Sequence, residues 1–243
     1  MTRNIFVHIA ARGGSKSVKN KNIRNFDGRP LIVWSLLQAK KLKKRFKKKI
    51  KIVVSSDSKK ILKISKDYGT DLLIKRPRKL SSDFCSKFFV WKHSVKIITE
   101  KYNFSNQDIF LDLDCTCPLR KFEDIYKILN LFLKRKKENK SFDGIITTTI
   151  AKKNPYFNLV ELNKSAQLKI SKKISKMPVR RQDAPKVFEH VASIYALKPN
   201  FIKNKKSLMS GKLYGFNVDP SSSIDIDSNL DFKLVSVLKK IKN

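Results

Sequence analysis

Two short runs carry residue types at spacings that chemistry can use. The first is Arg12-Gly13-Gly14-Ser15-Lys16, with Lys19 and Lys21 close behind. Two glycines let a backbone turn tightly and aim its N–H groups at one ligand, and the surrounding cations make the turn a seat for a polyphosphate. It is neither of the two common phosphate loops. Ser15 stands where the Walker pattern needs a glycine before its lysine, and no glycine follows Gly14 until Gly28, so the dinucleotide fingerprint fails as well. On composition alone a plain basic turn fits equally. The second run is Ser223-Ile224-Asp225-Ile226-Asp227. In an extended segment Asp225 and Asp227 share a face, and two carboxylates that close repel unless a cation sits between them. Hard oxygen ligands beside a triphosphate suit Mg2+, which needs only one or two carboxylates. The same spacing also fits a cap, by Asp227 or Asp231, on the last helix.

The elements that must position these runs are legible in outline. Ile5, Phe6, Val7 and Ile9 form an apolar, β-branched stretch that predicts a buried parallel strand leading into the first run. Asp27-Gly28 marks a turn, and Pro30 suits the first position of a helix continuing through Leu31, Trp34 and Leu37. Strands are expected at residues 51–55, 72–74, 108–114 and 144–150. Helices are expected at 59–68, capped by Asp57 or Ser58, at 87–101, and at 122–134. This alternation predicts a mostly parallel sheet with helices on both faces, a three-layer α/β/α, Rossmann-like fold. Ligands in such sheets bind beyond the carboxyl ends of the strands, which is where residues 12–22, 55–57, 75–86 and 114–120 all fall. Beyond Ala151 the rhythm changes: residues 154–161 read as a strand paired with 168–170, residues 180–185 as a loop and 187–197 as a further strand. Residues 216–227 return to the core and 230–241 close the fold as an amphipathic helix.

At 243 residues the chain suits one domain, with residues 151–200 as a β-rich insertion. No apolar run is long enough to span a membrane, and none resembles a signal peptide. Cys85, Cys115 and Cys117 are too few for a disulfide framework, and Cys115-Thr116-Cys117 lacks zinc spacing, so we read thiols in a reduced cytoplasm. The formal net charge of +35 raises nucleic-acid binding as an alternative. The excess is spread along the chain, with only residues 40–51 dense, and the aromatics fall at core periods, so a lysine-rich surface that draws anionic substrates is the better reading.

Ala10-Ala11-Arg12-Gly13-Gly14-Ser15-Lys16, followed by Lys19-Asn20-Lys21-Asn22-Ile23, resembles the N-terminal motif of the acylneuraminate cytidylyltransferases (CMP-sialic acid synthetases). The resemblance implies a nucleotide-diphospho-sugar transferase-like fold, CTP and an acidic nonulosonic sugar as substrates, Mg2+ as cofactor, and a homodimer built through the insertion. It places the triphosphate on Ala11, Arg12, Gly13, Gly14, Ser15, Lys16, Lys21 and Asn22, with Arg12, Lys21 and Asp227 as the catalytic residues. The family's metal-binding Asp-x-Asp falls on Asp225 and Asp227. Arg76-Pro77, with Leu80 to Asp83 and Ser86 beyond, is similar to the segment that lines the cytosine, although Lys87 departs from it; taken alone it would read as a solvated basic loop. Thr116, Pro118, Leu119 and Arg120 match a strand end whose glutamine contacts the sugar acid, and here that position is Asp114. Asp112 and Asp114 share a strand face. They reach a metal or a sugar hydroxyl, or are satisfied by neighbouring N–H groups. Arg181-Gln182 resembles a pair near the sugar, and Asn154 to Leu159 resembles the legionaminic acid branch. Val191-Ala192-Ser193 replaces Asn-Gly-Ala, which implies a differently shaped sugar pocket. Transfer of CMP to 3-deoxy-octulosonate or pseudaminic acid stays open. His8, His93 and His190 stand in no triad pattern and read as structural.

Overall fold

Ile5, Phe6, Val7 and Ile9 do form a buried strand, β1 (Ile5–Ala10). The computed structural model describes residues 4–15, 17–46, 49–138 and 140–241. A small hairpin, β2 (Asn25–Phe26) and β3 (Arg29–Pro30), follows the phosphate turn. Pro30 therefore closes a strand pair, and the helix α1 (Leu31–Phe46) starts one residue after it. Then come β4 (Ile50–Ser56), α2 (Lys59–Asp67), β5 (Leu72–Lys75), α3 (Lys87–Tyr102), β6 (Ile109–Leu113), α4 (Phe122–Lys137) and β7 (Gly144–Ile150). Ser58 is the cap of α2, accepting the Ile61 N–H at 3.4 Å.

The sheet runs β11-β7-β10-β6-β1-β4-β5, where β10 is Phe188–Leu197 and β11 is Leu213–Asn217. All neighbours pair in parallel except β10, which is antiparallel to both β6 and β7. Alternation along β1 splits the core into two layers. Ile5, Val7 and Ile9 face α1, α2 and α4, whereas Phe6 packs with Trp91 of α3 and Phe201 of α5 (Pro199–Asn204). A third, smaller core holds Phe232 and Val235 of α6 (Asn229–Ile241) against Val18, Phe26, Leu31 and Ile226. The order of strands reverses between β1 and β6, since the chain moves from β1 out to β5 and returns on the other side. In open α/β sheets the ligand crevice opens at such a switch point.

The insertion is shorter than the 151–200 expected. β10 sits between two strands of the central sheet, which is why residues 191–197 are apolar almost without alternation. Only residues 151–187 leave the core. Within them Asn154 makes a turn, its carbonyl accepting the N–H groups of Phe157, Asn158 and Leu159, so the strand expected over 154–161 shrinks to β8 (Val160–Leu162). It pairs with β9 (Leu168–Ile170) across a turn at Asn163.

Arg120 braces the carboxyl end of β6. It is 4% exposed, and its guanidinium donates to the carbonyls of Asp114 and Ser193, to Ser35 Oγ and to Gln38 Oε1, all within 2.9 Å. One side chain thus ties β6 to β10 and α1.

Candidate active site

A cleft of ≈ 340 Å³ lies over the carboxyl ends of β1 and β6, at the switch point. Its first wall is the glycine-rich cationic turn. Ser15 Oγ donates to the Val18 carbonyl and accepts the Lys21 N–H at 3.0 Å, which folds the turn back on itself. Asn22 is buried and donates from Nδ2 to the Arg12 carbonyl at 2.9 Å, so its role in the fold is to hold Arg12 in place. Arg12, Ser15, Lys21 and Asn22 all line the cleft. A side chain on Gly13 would put its Cβ 2.9 Å from Ser58 Cβ, so the close approach of β4's loop requires glycine there. The Gly13 N–H donates to Asp57 Oδ1 at 2.9 Å. Gly14 is exposed and Ala11 is buried, and neither is among the lining residues. Lys16 lies outside the described residues. Arg12 Nη1 meets Asp83 Oδ1 at 2.5 Å, across the cleft mouth.

The acidic run near the end of the chain arrives at the same place. The Ile226 N–H donates to the Thr116 carbonyl at 2.9 Å. Lys21 Nζ donates to the Ile226 carbonyl at 2.5 Å and lies 3.5 Å from Asp227 Oδ1. The helix cap is Ser228, whose Oγ accepts the Asp231 N–H at 3.2 Å while Asp231 Oδ2 accepts the N–H groups of Asp227 and Ser228 in return, and this leaves the Asp227 carboxylate on the cleft wall. Asp225 Oδ1 is enclosed with no hydrogen-bond partner. Burial pushes the Asp225 carboxyl up to about 6, and the nearby charges of Asp114 and Asp227 add to the rise. Crowded carboxylates with an orphaned oxygen fit a divalent cation.

The base of the cleft holds a charge cluster. His8 and Asp112 are paired residues on adjacent strands, and His8 Nδ1 lies 2.5 Å from Asp112 Oδ1 while Nε2 lies 2.9 Å from Ser94 Oγ. Lys87 Nζ reaches Asp112 Oδ2 at 2.6 Å and Asp114 Oδ2 at 2.5 Å. Asp114 Oδ1 accepts both the N–H and the hydroxyl of Thr116. Burial alone would lower the Lys87 ammonium, but Asp112 and Asp114 outweigh it and hold the group well above the usual lysine value. Burial lowers His8 from its usual value, against the opposing pull of Asp112, and favours the neutral ring. For Asp112 burial would raise the carboxyl, yet Lys87 and the His8 hydrogen bond bring it from 3.8 down to about 2.

A carboxyl lowered in the folded state binds fewer protons than in the unfolded chain. Its contribution to stability is therefore complete above 3.8 and is lost as pH falls toward about 2. His8, also lowered, adds an earlier loss as pH falls through 6.5. Melting temperatures measured from pH 7 to pH 2 are expected to show a steep acid limb. The Asp112→Asn variant is expected to be less stable at pH 7 and to show a shallower limb; equal slopes would contradict the charged cluster.

Arg76 is 6% exposed, lines the cleft, and keeps Nε and Nη2 without a hydrogen-bond partner. Buried orphan donors are rare and mark a place where an acceptor fits. Ser86 stands apart: its Oγ accepts the Phe88 N–H at 3.3 Å as the cap of α3, while Cys85 and Lys87 on either side line the cleft. Arg181 and Gln182 lie on an exposed turn of the insertion, with Arg181 Nη2 donating to the Ala151 carbonyl. Neither is among the cleft's lining residues. Sequence reasoning missed the two internal anions, Asp57 on the Gly13 N–H and Asp83 on Arg12. It also missed the link between Lys87 and Asp114. A histidine and an aspartate embedded in otherwise apolar strands were the signal for the His8–Asp112 pair.

Comparison with known proteins follows the same lines. A family model described as Cytidylyltransferase matches residues 6–217. The chain is 39% identical to post-translational flagellin modification protein B of Campylobacter coli, over 98% of this chain and 96% of that one. It is 36% identical to the CMP-N,N'-diacetyllegionaminic acid synthase of Campylobacter jejuni, over the same shares. In fold it matches CMP:2-keto-3-deoxy-manno-octonic acid synthetase complexed with CTP, with a TM-score of 0.68 at 16% identity, covering 99% of this chain and 100% of that one. Sheet order, the cleft at its switch point and the match over most of the length agree: the chain belongs to the cytidylyltransferase family.

Proposed function

We propose that the protein couples CTP to an acidic nonulosonic sugar of the legionaminic type, giving the CMP-sugar and pyrophosphate. The observation that carries this reading is the bridge from Lys21 to the Ile226 carbonyl and Asp227, which joins the cationic turn to the acidic run at the cleft wall. The 36% identity to a CMP-N,N'-diacetyllegionaminic acid synthase supports the choice of acid.

In this reading the sugar's 2-hydroxyl attacks the α-phosphorus. A new O–P bond forms as the bond to the β-phosphate oxygen breaks, and the hydroxyl proton passes to solvent. No protein nucleophile is required, so the work is positioning and charge neutralisation. Arg12 and Lys21 face the triphosphate, and Arg76 offers its orphaned N–H groups to the base. Asp225 and Asp227 would hold Mg2+. Among the described residues no group of three or more such ligands gathers, so water and phosphate oxygens would complete the shell. Bound there, the ion would offset triphosphate charge and polarise a phosphoryl oxygen.

We place the reaction in the cytoplasm, in keeping with three free cysteines and with the finding that no helix among the described residues is long and apolar enough to cross a membrane. We also propose a homodimer formed through residues 151–187, whose Leu159, Val160, Leu162, Leu168 and Val179 are exposed. Sedimentation is expected to give about twice 28.2 kDa, and a monomer at micromolar concentration would refute it. The functional reading is tested by incubating the protein with CTP, Mg2+ and, in turn, sialic, legionaminic, pseudaminic and octulosonic acids. Pyrophosphate release is expected with legionaminic acid; release with none of them would end the reading.

A further inference from the structure

Four described cations line the cleft: Arg12, Lys21, Arg76 and Lys87. Arg12 and Lys21 belong to the phosphate turn and its acidic partner, and Arg76 sits buried on the opposite wall with its orphaned donors. Lys87 has no part in that arrangement. It is built with more support than a solvent-facing lysine needs. Its Nζ is held between Asp112 and Asp114 at 2.6 and 2.5 Å, and it lies 4.8 Å from the Tyr195 ring centroid and 5.5 Å from that of Trp91. Asp112 is in turn fixed by His8, and His8 by Ser94. Asp114 is fixed by both polar groups of Thr116.

The order of exposure matters. The Asp112 side chain is 0% exposed, that of Asp114 15%, and that of Lys87 29%. The carboxylates lie behind, and the ammonium is the member that meets the cleft. An ammonium has three N–H donors. One donates to Asp114 Oδ2, the Asp112 carboxylate lies 2.6 Å away as an ion pair, and no further acceptor for Lys87 is found among the described residues. A lysine gripped from behind has lost most of its rotamer freedom before any ligand arrives, so it binds at a lower entropy cost than a free one.

We propose that Lys87 is the residue that reads the carboxylate of the acidic sugar, with Asp112 and Asp114 as its positioning residues. The inference rests on the functional reading above and adds the determinant of the acid's charge. Asp114 then acts through Lys87, its Oδ2 accepting from Lys87 and its Oδ1 from Thr116. A substrate whose carboxylate is masked would lose its partner at this point and keep every contact made through the nucleotide.

The test is steady-state kinetics with CTP and the acid that wild-type protein activates best, alongside the methyl ester of that acid. The Lys87→Gln variant is expected to raise KM for the acid at least about tenfold, as loss of a charge-assisted hydrogen bond does. It should leave KM for CTP within about twofold and abolish the preference for acid over ester. A rise in KM for CTP to match, or an acid-over-ester preference equal to wild type, would overturn the proposal. Should Lys87→Gln fail to fold, Asp114→Asn decides, because it keeps the Asp112 pair. A weakened acid-over-ester preference with KM for CTP unchanged supports the assignment, whereas a preference equal to wild type, or a lowered KM for the acid, overturns it. Failure of wild-type protein to activate any acid would remove the functional reading itself and this inference with it. Turnover that is indifferent to Lys87 removes only the inference.

Discussion

Replacing Asp227 by alanine is expected to slow pyrophosphate release at least about a hundredfold, the loss typical when a group that stabilises transition-state charge is removed. Beyond its 3.5 Å approach to Lys21 Nζ, the fold asks little of this side chain. It is 79% exposed, so its removal leaves no cavity, and Ser228 with Asp231 already caps the last helix. Lys21 keeps its stronger anchor, the Ile226 carbonyl at 2.5 Å. The fold should therefore survive and the melting temperature should stay close to wild type. The fall should appear in kcat with both substrates saturating, because a carboxylate in the proposed metal-holding role acts on charge that develops during transfer. Turnover near the wild-type rate would show that the acidic run is only a helix lead-in.

Arg12→Ala is expected to cost at least about a hundredfold as well, with its neighbour Asp83 supplying the contrast. Arg12 and Asp83 meet at 2.5 Å, but each side chain is about one-third exposed, 35% and 34%. Ion pairs that open to water are worth about 1 kcal/mol or less, so an incoming triphosphate can displace this one. Asp83→Asn should then lower KM for CTP, since the guanidinium no longer has to be taken from a carboxylate, while Arg12→Ala lowers kcat/KM. Both are read from initial rates of pyrophosphate release over a CTP series. Parallel losses in the two variants would mean that the ion pair itself is the working structure and would refute the assignment of Arg12 to the phosphates.

Much of this was visible in the residues. The β-branched run at Ile5 to Ile9 announced a central strand, and the glycine-rich cationic turn behind it announced an anion seat, because buried parallel strands and tight turns leave strong local signatures. The cleft's location followed from alternation alone. Contacts between distant parts were not visible. Lys87 read as a departure from a pattern and Asp114 as another. Only the packing of α3 against the end of β6 shows them to be one ion pair, over 27 residues of separation. The length of the insertion was misjudged for a related reason: β10 runs antiparallel after an irregular excursion, so no strand–helix rhythm marks it as part of the sheet. Arg181 and Gln182 carry a suggestive motif on an exposed turn of the insertion, outside the cleft's lining residues.

The small third core has a consequence for how a newly made chain comes to life. Val18, just behind the glycine-rich cationic turn, and Ile226, between Asp225 and Asp227, are both sealed by Phe232 and Val235 of the final helix. All seven strands of the central sheet precede residue 218. During synthesis the sheet can collapse while the last helix is still inside the ribosomal exit tunnel, yet the two walls of the cleft cannot be clamped together until that helix emerges. A nascent chain therefore acquires shape before it acquires competence. A release product ending at residue 228, which keeps Asp225 and Asp227 and lacks the helix, should resist protease across its strands and consume no CTP; one that did consume it would show that the clamp is dispensable.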